Sequence, residues 1–391
     1  MLKVINIEEL QPGMFVTQVT KQQGVYRVTS GGIIKDEAAI NNLIQKGISQ
    51  LEIDLDRSVL DKTADTAQPL DKTNEQGLTY AQQLEQALEV YSQVKTLHDK
   101  LIRQISSGRV ANFDTVNQVS QQLVEKVFES EDAIGVVTLF NQKDLYFLEH
   151  SVNCAILMIV FARHLGFDEK LMQQLGAGAL LMDVGMAKLP LLLTEKPEGF
   201  NQADSEKMRS HVDMALDMIK NVEIIADTSR DVIAMHHERL DGSGYPRGLQ
   251  GDDISVYGRM AAIVDVYDAL TSSRPYREAY SPAAALRFMS EELKGFDQDL
   301  LAQFISCIGD YPIGSLVKLA SNQLAIVMRL NKQTPLKPLV IAFYNLVTRE
   351  YGNVSQIDLS QVQDDIVGSV DPADFALNLN QFLRQNLLAG R

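Results

Sequence analysis

The sequence is poor in the residue types that mark secreted and membrane-spanning proteins. It has no tryptophan and two cysteines, Cys154 and Cys307, which excludes a disulfide-rich extracellular fold and is typical of free thiols in a reducing compartment. The longest apolar run, near residues 154–162, is well short of the ~18 residues or more that a transmembrane helix needs. Residues 1–8 include an acidic side chain where a signal peptide has its apolar core. A cytoplasmic protein without a membrane span is therefore expected.

Positive charge is scarce as well. The 36 lysines and arginines are outnumbered by 51 aspartates and glutamates, so the formal net charge is −15 at pH 7. This charge opposes binding to DNA and to anionic lipid. An anionic small-molecule ligand would need positive charge supplied locally by its binding site. The hydrophobic fraction of 45% is ordinary for a globular protein, and the length of 391 residues allows two or three domains.

Changes in hydrophobic periodicity divide the chain into five segments: 1–58, 59–79, 80–130, 131–312 and 313–391. The first alternates apolar and polar residues around a helical stretch at 36–46, which predicts a small α+β module that is either regulatory or an inert addition. The second is a polar linker, the third a helical connector, and the fourth almost wholly helical. The fifth combines short strands with a final helix over 371–387. The predicted fold is mainly α: a helical bundle core, preceded by a small α+β N-terminal module and followed by a short mixed α/β C-terminal segment.

Apolar side chains at three- and four-residue spacing predict the individual helices of the connector and of the core. In the connector, Gly108 separates two predicted helices, and such paired helices commonly pack on the following core or form a homodimer. His98 lies among polar residues of the first of them and is predicted to be at the surface. The core contains six predicted helices, over residues 145–166, 171–182, 203–218, 228–237, 260–270 and 282–293.

The most informative stretch begins with two adjacent histidines, His236 and His237, and continues into a loop with four glycines, the last of them Gly251. Imidazoles are common ligands of borderline divalent metals. Glycines add no Cβ and tolerate positive φ, so their backbone can approach an anion closely. The stretch predicts a metal site beside a phosphate-sized loop; the alternative is the end of a helix followed by a plain connection. A zinc protease is excluded, because Asp241 stands where the His-Glu-x-x-His motif needs its second histidine.

Further candidate metal ligands occur one or two per predicted helix of the core. Asp183 and Asp265 are carboxylates among apolar neighbours, and burying a carboxylate is costly unless it is paired or binds a cation. Each candidate alone is more often a hydrogen-bonded core residue or a helix cap. Together they fit a helical bundle that lines a metal cavity with inward imidazoles and carboxylates. The candidate ligands are His150, Asp183, His211, His236, His237 and Asp265.

The order of these motifs resembles the HD-GYP family, a branch of the HD metal-dependent phosphohydrolases. The resemblance covers roughly residues 130–312 and is carried by His-Ser-Val at 150–152, Leu-Leu-Met-Asp-Val-Gly at 180–185, Met-Arg-Ser-His at 208–211, His-His-Glu-Arg-Leu-Asp-Gly-Ser-Gly-Tyr-Pro at 236–246, Val-Asp-Val-Tyr-Asp-Ala-Leu at 264–270 and Arg-Pro-Tyr-Arg at 274–277. Residues 1–58 also resemble a small domain of unknown function that is often fused in front of such domains. The resemblance implies an HD-type bundle with a site for two or three ions, usually iron or manganese. It also implies hydrolysis of the bacterial messenger cyclic di-GMP or a related cyclic dinucleotide.

The resemblance further implies a role for each candidate residue. Asp183 would be the catalytic residue and would bridge two metals. The imidazoles on one side would be those of His211, His236 and His237, and the ligands on the other side would be His150 and Asp265. The ligand-binding residues would be Gly244, Tyr245, Pro246, Arg274 and Arg277, of which the two arginines are bidentate donors for phosphate.

Three positions depart from the family pattern. Met182 replaces the histidine of the His-Asp pair, and a thioether is a weak ligand for hard iron or manganese. Met186 replaces a lysine, and Lys188 lies two residues further on. Tyr146 stands where some members have a glutamate that favours a third metal, so one or two metal ions per chain are expected.

The sequence therefore predicts a metal-dependent phosphodiesterase of cyclic di-GMP, or of a related cyclic dinucleotide, with activity lowered by Met182 and Met186. Loss of a metal ligand, or of a charged group near the transition state, costs powers of ten in rate. The alternative is a catalytically inactive cyclic di-GMP receptor, or an adaptor for signalling proteins, on the same fold. Two metals per chain would support the enzyme, and one or none would support the receptor.

Overall fold

In the computed structural model the chain divides into two compact units, residues 1–67 and 68–391. The residues that the structure describes are 2–7, 10, 14–22, 32–34, 40, 42–44, 46–54, 78–109, 113–139, 146–190, 193, 201–272, 279–375 and 377. None of the helices within these ranges is both long enough and apolar enough to cross a membrane.

The N-terminal unit contains an antiparallel sheet. Its strands are β1 (Leu2–Asn6), β2 (Phe15–Gln22), β3 (Gly32–Ile33) and β4 (Ile48–Asp54), in the order β1-β4-β2-β3. Leu51 and Ile53 of β4 are buried on one face, and they form a small apolar cluster with Ile5 and Val16. The predicted helix over 36–46 lies for the most part outside the described residues.

The second unit is built mainly on helices. They are α1 (Tyr80–Ser106), α2 (Asp114–Val137), α3 (Tyr146–His164), α4 (Glu169–Leu181), α5 (Gln202–Arg209), α6 (His211–Ile219), α7 (Asp227–Met235), α8 (Val256–Thr271), α9 (Pro282–Glu291) and α10 (Gln298–Ile308). The predicted helices of the connector and the core are present, with ends shifted by a few residues, apart from one predicted helix that is divided. Helix α10 has no counterpart among the predicted helices.

The divided helix is the one predicted over 203–218. The chain turns at Ser210, whose hydroxyl donates a hydrogen bond of 2.6 Å to the Lys207 carbonyl. Such a bond from a serine side chain to the preceding turn competes with continuation of the helix. Helix α5 therefore ends before Ser210, and α6 begins directly afterwards at His211.

Helix α7 ends earlier than the predicted helix over 228–237. Its last residue is Met235, and the two adjacent histidines lie in the turn that follows. The backbone N–H of Glu238 donates to the Met235 carbonyl at 2.9 Å and closes this turn. Adjacent residues of a regular helix point in different directions, so leaving the helix here lets both imidazoles face one place.

A glycine lets helices α4 and α7 pack closely. A Cβ on Gly178 of α4 would lie 2.8 Å from the Cβ of Val232 and 2.9 Å from the carbonyl oxygen of Ser229, both on α7. Real Cβ atoms do not approach other atoms so closely, so no larger residue fits without a shift of the backbone. The close contact holds the end of α4 beside the helix that leads to the two histidines.

His98 is buried, which corrects its predicted position at the surface. It is 5% exposed on α1, and its Nε2 lies 2.9 Å from the Leu180 carbonyl oxygen. Lys95, Asp99 and Lys100 near it in sequence are charged, but it lies on the same helix face as Val94 and Leu101, which face the core. Burial lowers the pKa of His98 from 6.5 to about 4, against the opposing effect of the hydrogen bond to Leu180.

We expect His98 to make the protein less stable in mild acid. The unfolded chain takes up a proton near pH 6.5, whereas folded His98 stays neutral down to about pH 4, so the free energy of unfolding falls across this window as the pH drops. At ~1.4 kcal/mol per pKa unit the loss at pH 4 is about 3 kcal/mol. The Tm of His98→Gln should therefore fall less between pH 6.5 and 4 than that of the wild type. His164→Gln, which removes an exposed histidine, is the control with an unchanged slope, and a wild-type slope in His98→Gln would contradict the expectation.

The C-terminal part of this unit is a five-stranded antiparallel sheet. Its strands are β5 (Leu316–Leu319), β6 (Gln323–Arg329), β7 (Leu339–Asn345), β8 (Glu350–Asp358) and β9 (Ile366–Ser369), in the order β8-β7-β6-β5-β9. One face, with Ile326 and Phe343, packs into the helical core, and the other, with Val327 and Val340, packs into a separate apolar cluster. The predicted short strands of the C-terminal segment are thus confirmed, while residues 378–387 of the predicted last helix lie outside the described residues.

Candidate metal centre

The structure brings all six predicted metal ligands to one place. His150 lies on α3, Asp183 follows α4, His211 begins α6, His236 and His237 follow α7, and Asp265 lies on α8. All are buried except His237, which is partly exposed. The two predicted phosphate-binding arginines, Arg274 and Arg277, lie outside the described residues.

Asp183 reaches the histidines because the chain turns sharply after α4. It immediately precedes a short 3-10 turn, Val184–Lys188. Gly185 in this turn lies directly against the backbone carbonyl of His211, where any Cβ would collide with it. The position therefore requires a glycine, and this close approach holds the turn, and Asp183 with it, beside His211.

The Asp183 carboxylate lies between imidazoles on two sides. Its Oδ1 is 3.2 Å from Nε2 of His211 and 3.8 Å from Nε2 of His236. Its Oδ2 is 3.4 Å from Nε2 of His150. Each carboxylate oxygen thus faces a different side, which suits a group that bridges two cations.

On one side, four donor atoms are close enough to share a single ion. One ligand atom each of Asp183, His211, His236 and His237 lie within 4.8 Å of one another. Three imidazoles and one carboxylate form a donor set that zinc, iron and manganese accept in proteins. The residues on this side therefore fit a divalent metal.

Two of these imidazoles are oriented by backbone carbonyls. Nδ1 of His211 lies 2.6 Å from the Met208 carbonyl oxygen, and Nδ1 of His236 lies 2.9 Å from that of Ile233. A carbonyl only accepts hydrogen bonds, so in the neutral imidazole Nδ1 carries the proton and Nε2 keeps its lone pair. In both residues it is Nε2 that faces Asp183, as a metal ligand requires.

The other side of Asp183 offers fewer donors. Nε2 of His150 is 3.1 Å from one Asp265 oxygen, and Nδ1 of His237 is 3.5 Å from the other. Met182, which precedes Asp183 in the chain and is 1% exposed, contributes only a thioether at the position where the family pattern has a histidine. A metal on this side would have one imidazole fewer than that pattern provides.

Asp268 is a buried carboxylate at the site and is not among the candidate ligands predicted from the sequence. Its Oδ2 accepts a hydrogen bond of 2.7 Å from Nδ1 of His150, and its Oδ1 accepts one of 3.0 Å from the Asn153 amide. The Tyr91 hydroxyl of α1 donates to Asn153 Oδ1 at 3.0 Å. This chain of bonds orients His150 with Nε2 towards the other ligands. The available signal is spacing, because Asp268 follows Asp265 by three residues and shares its helix face.

Burial and mutual contact set the charges of the ligands. Burial raises the pKa of Asp183, but the hydrogen bond and positive charge of His211 outweigh it and hold that pKa well below its ordinary value. Burial lowers the pKa of His211, and the contact with Asp183 more than reverses this, so the net shift is upwards. Burial lowers the pKa of both His236 and His237, the latter strongly. The shifts of Asp183, His236 and His237 favour an ionised carboxylate and neutral imidazoles, which are the forms that bind metal.

Glu238 fastens the glycine loop beside the ligands. This carboxylate is 1% exposed and accepts the backbone N–H groups of Arg247 and Leu249 at 2.8 and 3.0 Å. Gly244 lies so close to the Glu238 backbone that a Cβ on Gly244 would be 2.5 Å from the Glu238 Cα. Glu238 belongs to the predicted motif, but its anchoring role is visible only once the loop is folded back on it.

Tyr245 places an aromatic ring against His237, one of the predicted metal ligands. Its backbone N–H donates to the His237 carbonyl at 3.2 Å, and its ring stacks on the His237 imidazole with centroids 4.5 Å apart. Burial, and then the negative charges of Asp265 and Asp183, raise the pKa of Tyr245. Its hydroxyl therefore remains a hydrogen-bond donor at neutral pH.

Two family models match the chain. The HD domain matches residues 138–300, which contain all the predicted metal ligands, and a domain of unknown function, DUF3391, matches residues 2–116. The chain also resembles a solved structure of Bd1817, an HDG"Y"P protein from Bdellovibrio bacteriovorus, with a TM-score of 0.50 and 19% identity over 78% of this chain and 99% of that one. At this identity the likeness concerns the fold.

Several curated relatives are cyclic dinucleotide phosphodiesterases. The chain is 27% identical to cyclic di-GMP phosphodiesterase PA4108 of Pseudomonas aeruginosa, over 96% of this chain and 93% of that protein. It is 26% identical to cyclic di-GMP phosphodiesterase PdeB of Borreliella burgdorferi, over 56% of each. It is 32% identical to 3'3'-cGAMP-specific phosphodiesterase 3 of Vibrio cholerae, over 40% of this chain and 35% of that protein.

Proposed function

We propose that this chain is a metal-dependent phosphodiesterase with lowered activity, and that its substrate is cyclic di-GMP or a related cyclic dinucleotide. Its residues 138–300 would form an HD domain of the HD-GYP type. The observation that carries the proposal is the position of Asp183, with one carboxylate oxygen facing His211 and His236 and the other facing His150. The relatives of this chain include phosphodiesterases for both cyclic di-GMP and 3'3'-cGAMP, so the substrate class that these relatives share is the cyclic dinucleotides.

The metal would be held by the chain in two unequal sets. Asp183, His211, His236 and His237 would hold one ion, of iron or manganese. Asp183, His150 and Asp265 would hold a second more weakly. When bound, divalent ions supply Lewis-acid polarisation of a phosphodiester and lower the pKa of water. Asp268 would keep His150 in the orientation that this second set requires.

The loop would position the substrate against this centre. Tyr245, whose ring is stacked on His237, offers the substrate the edge of this ring and a protonated hydroxyl for a polar contact. The turn through Gly244 and Pro246 keeps this ring next to His237, and the hydrogen bonds that Glu238 accepts from Arg247 and Leu249 hold the loop in place. Arg274 and Arg277 would add donors for the phosphates.

The lowered activity follows from two substitutions. Met182 supplies no imidazole to the second set, so the second ion would be bound weakly. Met186 removes the positive charge of the lysine in the family pattern, and Lys188 is exposed to solvent. Each loss withdraws an interaction that stabilises negative charge in the transition state.

The alternative function is that of a receptor. A protein that keeps the glycine loop and Tyr245 but does not hydrolyse its ligand would bind cyclic di-GMP and pass the signal to a partner protein. Met182 and Met186, which replace a histidine and a lysine of the family pattern, favour this alternative. The remaining candidate metal ligands around Asp183 favour the phosphodiesterase.

Metal content separates the two functions. The protein would be loaded anaerobically with ferrous iron or manganese, dialysed, and analysed for metal per chain. We expect one ion to survive dialysis and a second to bind only in excess metal, with cyclic di-GMP hydrolysed in proportion to occupancy of the second site. Full occupancy of both metal sites without hydrolysis would contradict the proposed phosphodiesterase activity and favour the receptor. The absence of any bound metal would contradict the proposed metal centre itself.

A further inference from the structure

We propose that Arg209 binds a phosphodiester group of the substrate beside the metal ligands and so positions the cyclic dinucleotide. The inference rests on the proposed function and names a further substrate-binding residue for it. Arg209 is the last residue of α5 and lies two residues before His211 in the chain. Four observations lead to it: its location, its stacking, its free charge and the acidity of the whole chain.

Arg209 is held next to the predicted ligands by an aromatic ring. Its guanidinium carbon lies over the Tyr245 ring, 5.0 Å from the centroid. The same ring is stacked on the His237 imidazole at 4.5 Å. One aromatic ring therefore contacts both the guanidinium and a predicted metal ligand. The cation–π contact also restricts a side chain that would otherwise be flexible at the surface.

The charge of Arg209 is available for a ligand. Within the described part of the chain its side chain forms no ion pair and no hydrogen bond, and it is exposed. Two other arginines of this region are already engaged. Arg239 donates to the Glu238 carbonyl at 2.8 Å, and Arg247 pairs with Asp213 at 3.3 Å.

The acidity of the chain explains why a cation is needed here. The whole chain carries a formal net charge of −15 at pH 7. This charge repels a phosphodiester that does not itself lie at the metal ligands, unless a cation is close by. A guanidinium matches two phosphate oxygens with parallel N–H donors. A cyclic dinucleotide has two phosphodiesters, so one can meet Arg209 while the other lies at the metal ligands.

The test is equilibrium binding, which does not depend on turnover. Binding of fluorescently labelled cyclic di-GMP to the full chain in the presence of manganese would be followed by anisotropy. We expect Arg209→Gln to raise the Kd by about 10-fold or more, as for loss of a charge-assisted hydrogen bond. Arg209→Lys should raise it less, because the charge stays while the paired donors are lost. Lys220→Gln, which removes an exposed lysine next to α6 that pairs with Asp217, is the matched control and should keep the wild-type Kd.

Salt provides a second readout that a merely structural role would not change. Added salt should weaken binding by the wild type more than binding by Arg209→Gln, because the variant has lost one ionic contact. A wild-type Kd in Arg209→Gln, with an unchanged Tm, would overturn the role of Arg209 and leave the proposed function standing. Equal weakening in Arg209→Lys and Arg209→Gln without a change in salt dependence would overturn the phosphate contact. A wild-type protein that binds neither cyclic di-GMP nor 3'3'-cGAMP would overturn the proposed function and this inference together.

Discussion

Replacing Met182 by histidine and Met186 by lysine in the same chain is expected to raise the rate of cyclic di-GMP hydrolysis by about 100-fold or more, the scale on which single ligands and charged donors act in such sites. Met182 is buried directly before Asp183, where the family pattern has a histidine, so an imidazole there is expected to add a ligand to the set of Asp183, His150 and Asp265. The lysine returns a positive charge near the phosphodiester. The second metal should then survive dialysis, and the rate would be followed by chromatography of the linear dinucleotide and GMP.

The matched control replaces the same two methionines by leucine. Methionine and leucine have similar volume, and such swaps in a core usually cost less than ~1.5 kcal/mol, so fold and rate should stay those of the wild type. A histidine–lysine variant with a wild-type Tm and a second bound metal, but with no gain in rate, would show that these two positions do not limit the activity.

Asp183→Asn is expected to have the second large effect. Asparagine keeps the shape of the side chain but removes the negative charge that lies 3.2 Å from His211 and 3.4 Å from His150. Both sets of metal ligands lose the carboxylate that they share, so metal affinity should fall by at least about 100-fold. This loss exceeds the one expected when a residue that only hydrogen-bonds to a metal ligand is removed. Any hydrolysis should fall below detection. Metal analysis after dialysis and a turnover assay at saturating substrate would measure the two effects.

Asp213→Asn is the control for this change. Asp213 lies on α6 near His211, but it is exposed and pairs only with Arg247 among the described residues. Its replacement removes one negative charge from the same helix without touching the ligands. Metal content and rate should therefore match the wild type, and Asp183→Asn with wild-type metal content would contradict the role given to the carboxylate.

The candidate ligands could be identified in the sequence because their physical signatures are local. A carboxylate such as Asp183 or Asp265 amid leucine, methionine and valine has few stable fates other than a partner or a cation. Adjacent histidines before a glycine loop add a second local signature. The helices follow from apolar spacing in the same way, and the largest departure is at Ser210, whose side-chain bond accompanies the division of one predicted helix into two.

The supporting contacts could not be predicted because they join distant parts of the chain. His150 and Asp268 are 118 residues apart, and Tyr91 and Asn153 are 62 residues apart. No periodicity in either stretch indicates that α1 will lie against α3 with these polar groups aligned. His98 was misplaced for a related reason, since the polar residues around it hide the apolar stripe to which it belongs.

The most direct test of the account is turnover by the wild-type protein. Purified protein would be loaded anaerobically with ferrous iron or manganese, given cyclic di-GMP and 3'3'-cGAMP, and sampled over time by chromatography. The account predicts slow, metal-dependent formation of linear dinucleotide or GMP that rises with metal concentration and disappears in Asp183→Asn. Saturable binding of either dinucleotide without any product, at full metal occupancy, would contradict it and assign the site to a receptor.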